Sequence, residues 1–135
     1  MTISPRIRVV LADDHGMVRQ GLVGFLQSCP GIELVGEAAN GEDAVVLVER
    51  LKPDVAILDV IMPKMDGVAA AREIRKKSPN TSILGLSGNP YGFHSIALLR
   101  AGATEVVAKE KSVEELYSSL QRATAARLPD GAVGS

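Results

Sequence analysis

Apolar runs of strand length alternate five times along the chain with amphipathic stretches of helix length. The runs are rich in Val, Ile and Leu, and the first, third and fourth are almost continuously apolar. Such runs are typical of strands in a parallel sheet that helices cover on both faces. The pattern therefore predicts an α/β domain. Its predicted strands are Ile7–Ala12, Ile32–Glu37, Val55–Leu58, Ser82–Leu86 and Glu105–Ala108.

The stretches between the strands carry apolar residues at helical spacing and are bounded by residues that start or stop helices. Asn40 is a good N-cap and Pro53 a stop for the second helix, and Gly102 is a typical C-cap for the fourth. Ser112–Glu115 has the pattern of a capping box. The predicted helices end near Cys29–Gly31 (first), start at Asn40 (second), span about Asp66–Lys77 (third) and His94–Ala101 (fourth), and start at Ser112 (fifth).

Polar residues stand directly after four of the five predicted strands. Asp13 and Asp14 follow the first strand, Asp59 the third, Ser87 the fourth and Lys109 the fifth. All strands of a parallel sheet end at the same edge, and ligand sites of open α/β sheets lie there. The sequence therefore predicts that these five residues form one site.

Three carboxylates in a small site repel one another unless a cation neutralises them, and a hard ion with oxygen ligands such as Mg²⁺ fits that need. If Asp59 attacks a phosphoryl group, Mg²⁺, the Lys109 ammonium and the Ser87 hydroxyl can each stabilise the transferring oxygens. Taken alone, each residue is more often a turn, a helix cap or a solvated side chain. The prediction therefore depends on their conjunction.

The composition is that of an ordinary globular protein, with 135 residues, 46% of them hydrophobic, and a net charge of -1. This size suits one compact domain, and this charge gives no bulk attraction to nucleic acid or to a membrane surface. The apolar runs are too short to cross a bilayer, and no signal-peptide pattern opens the chain, so a cytoplasmic protein is expected. Cys29 is the single cysteine, and packing is its expected role.

Four segments resemble the signature segments of response-regulator receiver domains in two-component systems. These segments are Val9–His15, Leu58–Gly67, Leu86–Ser87 and Ala108–Lys109. The resemblance covers roughly residues 6 to 122. It implies a flavodoxin-like, doubly wound five-stranded parallel sheet of order 2-1-3-4-5 with five helices.

The resemblance also implies a role for each site residue. Asp59 is the expected phosphoacceptor. Asp13 and Asp14 are expected to hold Mg²⁺, one of them through water, and Asp59 is expected to be a metal ligand as well. The backbone carbonyl of Ile61 would supply a further metal ligand, and Lys109 would pair with the phosphoryl oxygens. A sensor histidine kinase is the expected donor, and the domain catalyses only its own phosphorylation and dephosphorylation.

Ser87 is expected to swing towards the phosphoryl group and so to shift the population between two receiver shapes. The resemblance implies that this shift is expressed on the face formed by helix 4, strand 5 and helix 5, which is also a possible homodimer interface. Pro63 and Gly67 are expected to shape the loop into helix 3.

The sequences of Leu11–His15 and Val35–Gly41 further resemble those of receivers that precede a LuxR/NarL-type helix-turn-helix output domain. We expect a receiver domain over residues 1–124 and a linker or disordered tail over 125–135, with the DNA-binding domain absent from this chain, as in a fragment. The implied partners are the kinase and this output domain, own or separate. No direct nucleic-acid contact by the receiver and no membrane contact are expected.

Two departures from the family pattern leave an alternative open. Val106 stands where receivers often have an aromatic relay residue, and Glu110 stands where a proline often follows the lysine, so no cis-proline is expected there. Tyr91 or Phe93, in the Gly- and Pro-rich segment before a short, displaced or mobile helix 4, could take over the relay or could simply pack. The alternative is a pseudo-receiver that binds proteins independently of phosphate. A flavodoxin-type flavin binder is disfavoured by 3% aromatic residues and by acids after strand one.

Overall fold

A computed structural model describes residues 6–125 of the chain. Its five strands pair in parallel in the order β2-β1-β3-β4-β5, so the predicted flavodoxin-like topology is confirmed. The strands are β1 Ile7–Ala12, β2 Ile32–Ala38, β3 Val55–Asp59, β4 Ser82–Ser87 and β5 Glu105–Ala108. The helices are α1 Gly16–Ser28, α2 Gly41–Leu51, α3 Gly67–Lys77, α4 Phe93–Arg100 and α5 Ser112–Ala125. Apart from Ala125, the predicted tail lies outside the described residues.

Successive strand residues point to opposite faces of the sheet, and both faces are covered. On one face Val10 and Ala12 of β1 belong to the apolar core that α2, α3 and α4 close. On the other face Val9 and Leu11 belong to the core that α1 and α5 close. All four of these side chains are completely buried. Two-sided burial explains why the strands read as continuous apolar runs.

Two of the predicted helix starts are confirmed by hydrogen bonds. The Asn40 and Asp66 side chains accept from the backbone N–H groups of Asp43 and Ala69, both at 2.9 Å, at the starts of α2 and α3. The predicted short α4 has eight residues.

The capping box predicted at Ser112 is wrong. A 3₁₀ turn, Lys109–Lys111, runs directly into α5, so Ser112 already has helical backbone angles. Its hydroxyl donates to the Lys109 carbonyl at 2.8 Å rather than accepting from the helix. No helix within residues 6–125 is both long and apolar enough to cross a membrane.

Candidate functional site

The ends of β1, β3 and β5 bring two buried acids and one lysine together. Lys109 Nζ lies 2.7 Å from Asp59 Oδ2 and 3.5 Å from Asp13 Oδ2. Asp13 is completely buried and Asp59 is 3% exposed, whereas the Asp14 side chain is 32% exposed beside them. The predicted convergence of these four residues at one sheet edge is therefore observed.

Ser87, Ile61 and Asp59 line one cavity of about 280 Å³ together with Lys109. The Ser87 hydroxyl is engaged in the following loop, where it donates to the Asn89 carbonyl at 2.9 Å and accepts from the Asn89 N–H at 3.0 Å. The Ile61 N–H donates to Asp59 Oδ1 at 3.2 Å. The metal-ligand role of the Ile61 carbonyl stays a prediction.

His15 joins the site although the sequence predictions did not include it. Its Nδ1 lies 3.3 Å from Asp13 Oδ1, 3.2 Å from Asp14 Oδ1, 3.8 Å from Asp59 Oδ2 and 3.3 Å from Lys109 Nζ. The His15 N–H also donates to Asp13 Oδ1 at 2.8 Å, which turns the chain back over the acids. Its place directly after the Asp pair was the available signal.

The loop between β3 and α3 is folded tightly against the acceptor strand. The Gly67 N–H donates to the Val60 carbonyl at 2.8 Å, and a Cβ on Gly67 would overlap the Asp59 carbonyl. Lys64 adopts a left-handed conformation with φ of 67°, and Met65 N–H donates to the Pro63 carbonyl at 2.7 Å. The sequence expectation that Gly67 shapes this loop agrees with the contact.

Burial governs the charge state of the two central groups. Burial raises the pKa of Asp59 above its ordinary value, although the hydrogen bond and charge of Lys109 and the N–H of Ile61 oppose it. Burial disfavours the charged form of Lys109, but its hydrogen bond to Asp59 and the charges of Asp59 and Asp13 outweigh this and raise its pKa. One ammonium therefore serves several carboxylates.

The donor set fits a hard divalent cation. Ligand atoms of Asp13, Asp14, His15 and Asp59 all lie within 4.8 Å of one another. Asp13 Oδ2 is buried without a hydrogen-bond partner, and its nearest cation is the Lys109 ammonium at 3.5 Å. Excess carboxylate charge and an oxygen with spare acceptor capacity are the conditions under which Mg²⁺ binds.

The raised pKa of Asp59 predicts a pH dependence of stability. As the pH rises from the ordinary to the raised value, the unfolded chain releases the Asp59 proton first, so the folded state loses stability across this window. Asp59→Asn, whose side chain stays neutral, should escape this loss. In metal-free urea titrations, the free energy of unfolding of Asp59→Asn relative to wild type should grow through the window and then level off. A pH-independent difference would contradict the raised pKa.

Tyr91 and Phe93, the two rings that could replace the missing aromatic residue at position 106, are both exposed. Val106 is half-buried, whereas Tyr91 is 88% and Phe93 81% exposed. The alternative that Tyr91 and Phe93 serve only as apolar packing residues is therefore not supported, because neither ring is buried in the core. The peptide bonds of residues 6–125 contain no cis bond, in agreement with Glu110 in place of proline.

Comparison with known proteins matches residues 9–121 to the family model "Response regulator receiver domain". The uncharacterized transcriptional regulatory protein YhcZ of Bacillus subtilis (strain 168) is 39% identical over 115 residues, which are 85% of this chain and 54% of that protein. A protein-glutamate methylesterase/protein-glutamine glutaminase of Alkalilimnicola ehrlichii is 41% identical over 106 residues, 77% of this chain and 27% of that protein. The matched part of the chain thus spans about half of the length of the first relative and about a quarter of the length of the second.

Solved receiver domains have the same fold. The signal receiver domain of the putative response regulator NarL from Mycobacterium tuberculosis superposes with a TM-score of 0.85 at 31% identity, covering 92% of this chain and 100% of that one. The receiver domain of the sensor histidine kinase PA1611 from Pseudomonas aeruginosa PAO1, with magnesium coordinated in its active-site cleft, gives 0.80 at 28% identity and covers 89% and 98%. With its fold, its acid cluster and these matches, the chain belongs to the response-regulator receiver family, and its relatives include LuxR/NarL-type regulators.

Proposed function

We propose that this receiver domain accepts a phosphoryl group on Asp59 from a sensor histidine kinase in a Mg²⁺-dependent reaction. The observation that carries the proposal is the 2.7 Å contact between Lys109 Nζ and Asp59 Oδ2, two residues that line the same cavity. A carboxylate held beside a fixed ammonium is a nucleophile with a positive charge already placed for the incoming phosphoryl oxygens.

The residues that would hold Mg²⁺ are Asp13, Asp14 and Asp59, with the carbonyl of Ile61. The ion supplies charge neutralisation for the carboxylates and for the transferring oxygens. The magnesium in the cleft of the similar PA1611 receiver supports this assignment. The buried Asp13 Oδ2, without a hydrogen-bond partner, supports it from this chain.

In the transfer step an Asp59 oxygen forms a bond to phosphorus while the phosphorus–nitrogen bond of the donor histidine breaks and the electron pair returns to the imidazole. Hydrolysis later restores the carboxylate and releases inorganic phosphate. Lys109 stays protonated throughout, in keeping with its raised pKa. The chain acts on no other substrate in this proposal, and the methylesterase activity named for one relative belongs to a protein of which this chain matches 27%.

The readout of phosphorylation is a reorientation of Ser87 towards the phosphoryl group, expressed on the face of α4, β5 and α5. A DNA-binding output domain, own or separate, or a second receiver would bind this face. The LuxR/NarL-type relatives support the output domain. The receiver itself makes no nucleic-acid or membrane contact, and its place of action is the cytoplasm. In this proposal the receiver unit comprises residues 1–124, and residues 125–135 are the linker or tail expected from the sequence.

A phosphate-independent pseudo-receiver is the weaker alternative. Val106 and the exposed Tyr91 favour it, because they remove the usual aromatic route out of the site. The assembled set of Asp13, Asp59 and Lys109 disfavours it, since a domain that never binds phosphate has no need of a buried, partly neutralised acid cluster.

Intact mass after incubation with acetyl phosphate and Mg²⁺ tests the proposal. Wild type should gain about 80 Da, the mass of one phosphoryl group, and Asp59→Asn should gain nothing. Asp43→Asn, which changes a carboxylate at the start of α2, is the matched control and should be labelled like wild type. A mass gain in Asp59→Asn would show that another residue accepts the phosphoryl group. An unlabelled wild type, under conditions that label a known receiver, would support the pseudo-receiver.

A further inference from the structure

Ser95 is a buried polar residue in the first turn of α4, with 1% of its surface exposed. Its Oγ lies 2.8 Å from Ser87 Oγ and 2.7 Å from the Asn89 carbonyl oxygen. Ser95 therefore links α4 to the residue that ends β4 at the phosphoacceptor site.

The Asn89 carbonyl is approached by three donors at once. The Gly92 N–H lies 3.1 Å, the Ser87 hydroxyl 2.9 Å and the Ser95 hydroxyl 2.7 Å from its oxygen. A carbonyl oxygen has two lone pairs, so one of the three donors is always surplus. With Ser87 donating to Asn89, the Ser95 proton is free for Ser87 Oγ. If the Ser87 hydroxyl leaves, Ser95 can donate to Asn89 without moving.

We infer that Ser95 is a positioning residue that takes over the hydrogen bond to the Asn89 carbonyl when the Ser87 hydroxyl turns towards the phosphoryl group. This inference rests on the proposed function, which assigns that turn to Ser87. A backbone carbonyl without a donor is costly, and the exchange keeps both lone pairs of Asn89 occupied. The Asn89 carbonyl therefore adds little to the cost of releasing Ser87, which still gives up the hydrogen bond from the Asn89 N–H.

The same exchange of hydrogen-bond donors couples the reorientation of Ser87 to α4. Before Ser87 reorients, the Ser95 hydroxyl lies within hydrogen-bond distance of both Ser87 Oγ and the Asn89 carbonyl oxygen. After Ser87 reorients, Ser95 donates to the Asn89 carbonyl alone, so a residue in the first turn of α4 changes its hydrogen-bond partner. This route consists of hydroxyl groups and needs no aromatic ring. It therefore suits a chain with Val106 at the relay position and with Tyr91 largely in solvent.

The third donor to the Asn89 carbonyl leads to a prediction that can be tested on the unphosphorylated protein. Ser87→Ala and Ser95→Ala each leave the Asn89 carbonyl with two donors, and Ser87→Ala also removes the acceptor of the Asn89 N–H. The acceptors of the Gly92 and Ile96 amides are untouched, so hydrogen exchange at these two amides should change little in either single variant. The double variant leaves Gly92 as the one remaining donor of the three, and exchange at these amides should be about 2- to 10-fold faster than the two single effects combined. Additive effects would overturn the exchange of partners.

Ser95→Thr and Ser78→Ala are the controls. The threonine keeps the hydroxyl, so its combination with Ser87→Ala should behave like Ser87→Ala alone. Ser78 is another buried serine, bonded to Thr81 Oγ1 at 2.7 Å, and Ser78→Ala combined with Ser87→Ala should give simple addition. Acceleration in the Ser95→Thr combination as large as in the double alanine variant would assign the effect to packing and overturn the inference.

A second measurement adds acetyl phosphate and Mg²⁺ and follows the amide NMR signals of Ser87 and of α4. In Ser95→Ala the carbonyl of Asn89 loses its replacement donor, so the switched population should fall about 2- to 10-fold at equal phosphoryl mass gain. A switched population equal to that of wild type would overturn the role of Ser95. An absent mass gain in wild type would instead defeat the proposed function, and the exchange measurements would still decide on the hydrogen bonds.

Discussion

Replacement of Lys109 by alanine is expected to lower the free energy of unfolding at pH 7 by about 2 to 3 kcal/mol and to slow phosphoryl transfer to Asp59 about 100-fold. The ammonium lies 2.7 Å from Asp59 and 3.5 Å from Asp13, and its removal leaves two buried acids without their shared cation. The Lys109 side chain is 20% exposed, which places the loss below that of a fully buried pair.

Urea unfolding and the rate of mass gain with acetyl phosphate measure the two effects. Lys111→Ala removes an exposed lysine from the same turn and should leave both quantities near wild type. Saturating Mg²⁺ should return part of the lost stability to Lys109→Ala, because the ion binds the folded acid cluster. If Lys109→Ala were as stable as Lys111→Ala in metal-free buffer, Asp13 and Asp59 would need no counter-charge.

Gly67→Ala is the second substitution with a large expected effect. Its Cβ would overlap the Asp59 carbonyl and lie 2.9 Å from Val60 Cα, and backbone atoms of a central strand have little room to move. The free energy of unfolding should fall by about 2 to 3 kcal/mol, and the start of α3 should be pushed away from the acceptor strand.

Gly16→Ala is the matched control, since Gly16 also opens a helix but a Cβ there meets nothing within 4 Å. It should be neutral or stabilise by up to about 1 kcal/mol. Thermal and urea unfolding of both variants, with acetyl phosphate labelling of the folded protein, provide the measurement. Equal stabilities of the two variants would mean that the loop from β3 to α3 yields easily.

The sheet and most of the site were predictable because both follow from position along the strands. Burial on two faces makes each strand a continuous apolar run, and parallel pairing brings Asp13, Asp59 and Lys109 to one edge whatever their separation in sequence. The observed strand limits differ from the predicted ones by at most one residue at an end.

The details that were missed depend on loop geometry. His15 reaches the acids because of a local turn onto Asp13, which no periodic pattern encodes. Ser112 looked like a capping residue because the 3₁₀ turn before it has no sequence signal distinct from a loop. Ser95 resembles any serine in a helix until the position of the Asn89 carbonyl is known.

The wide separation of the site residues along the chain also bears on how the protein folds. Parallel strands that pair over long sequence distances form slowly, because each loop must close before its contacts are gained. Asp13 follows β1 and Asp59 ends β3, whereas Lys109 follows β5, which pairs with β4 at the edge of the sheet. A folding intermediate without β5 would hold the acids together with no ammonium among them. The site is therefore complete only when β5 is docked, because this edge strand contributes the counter-charge of the acids as well as apolar side chains of the core.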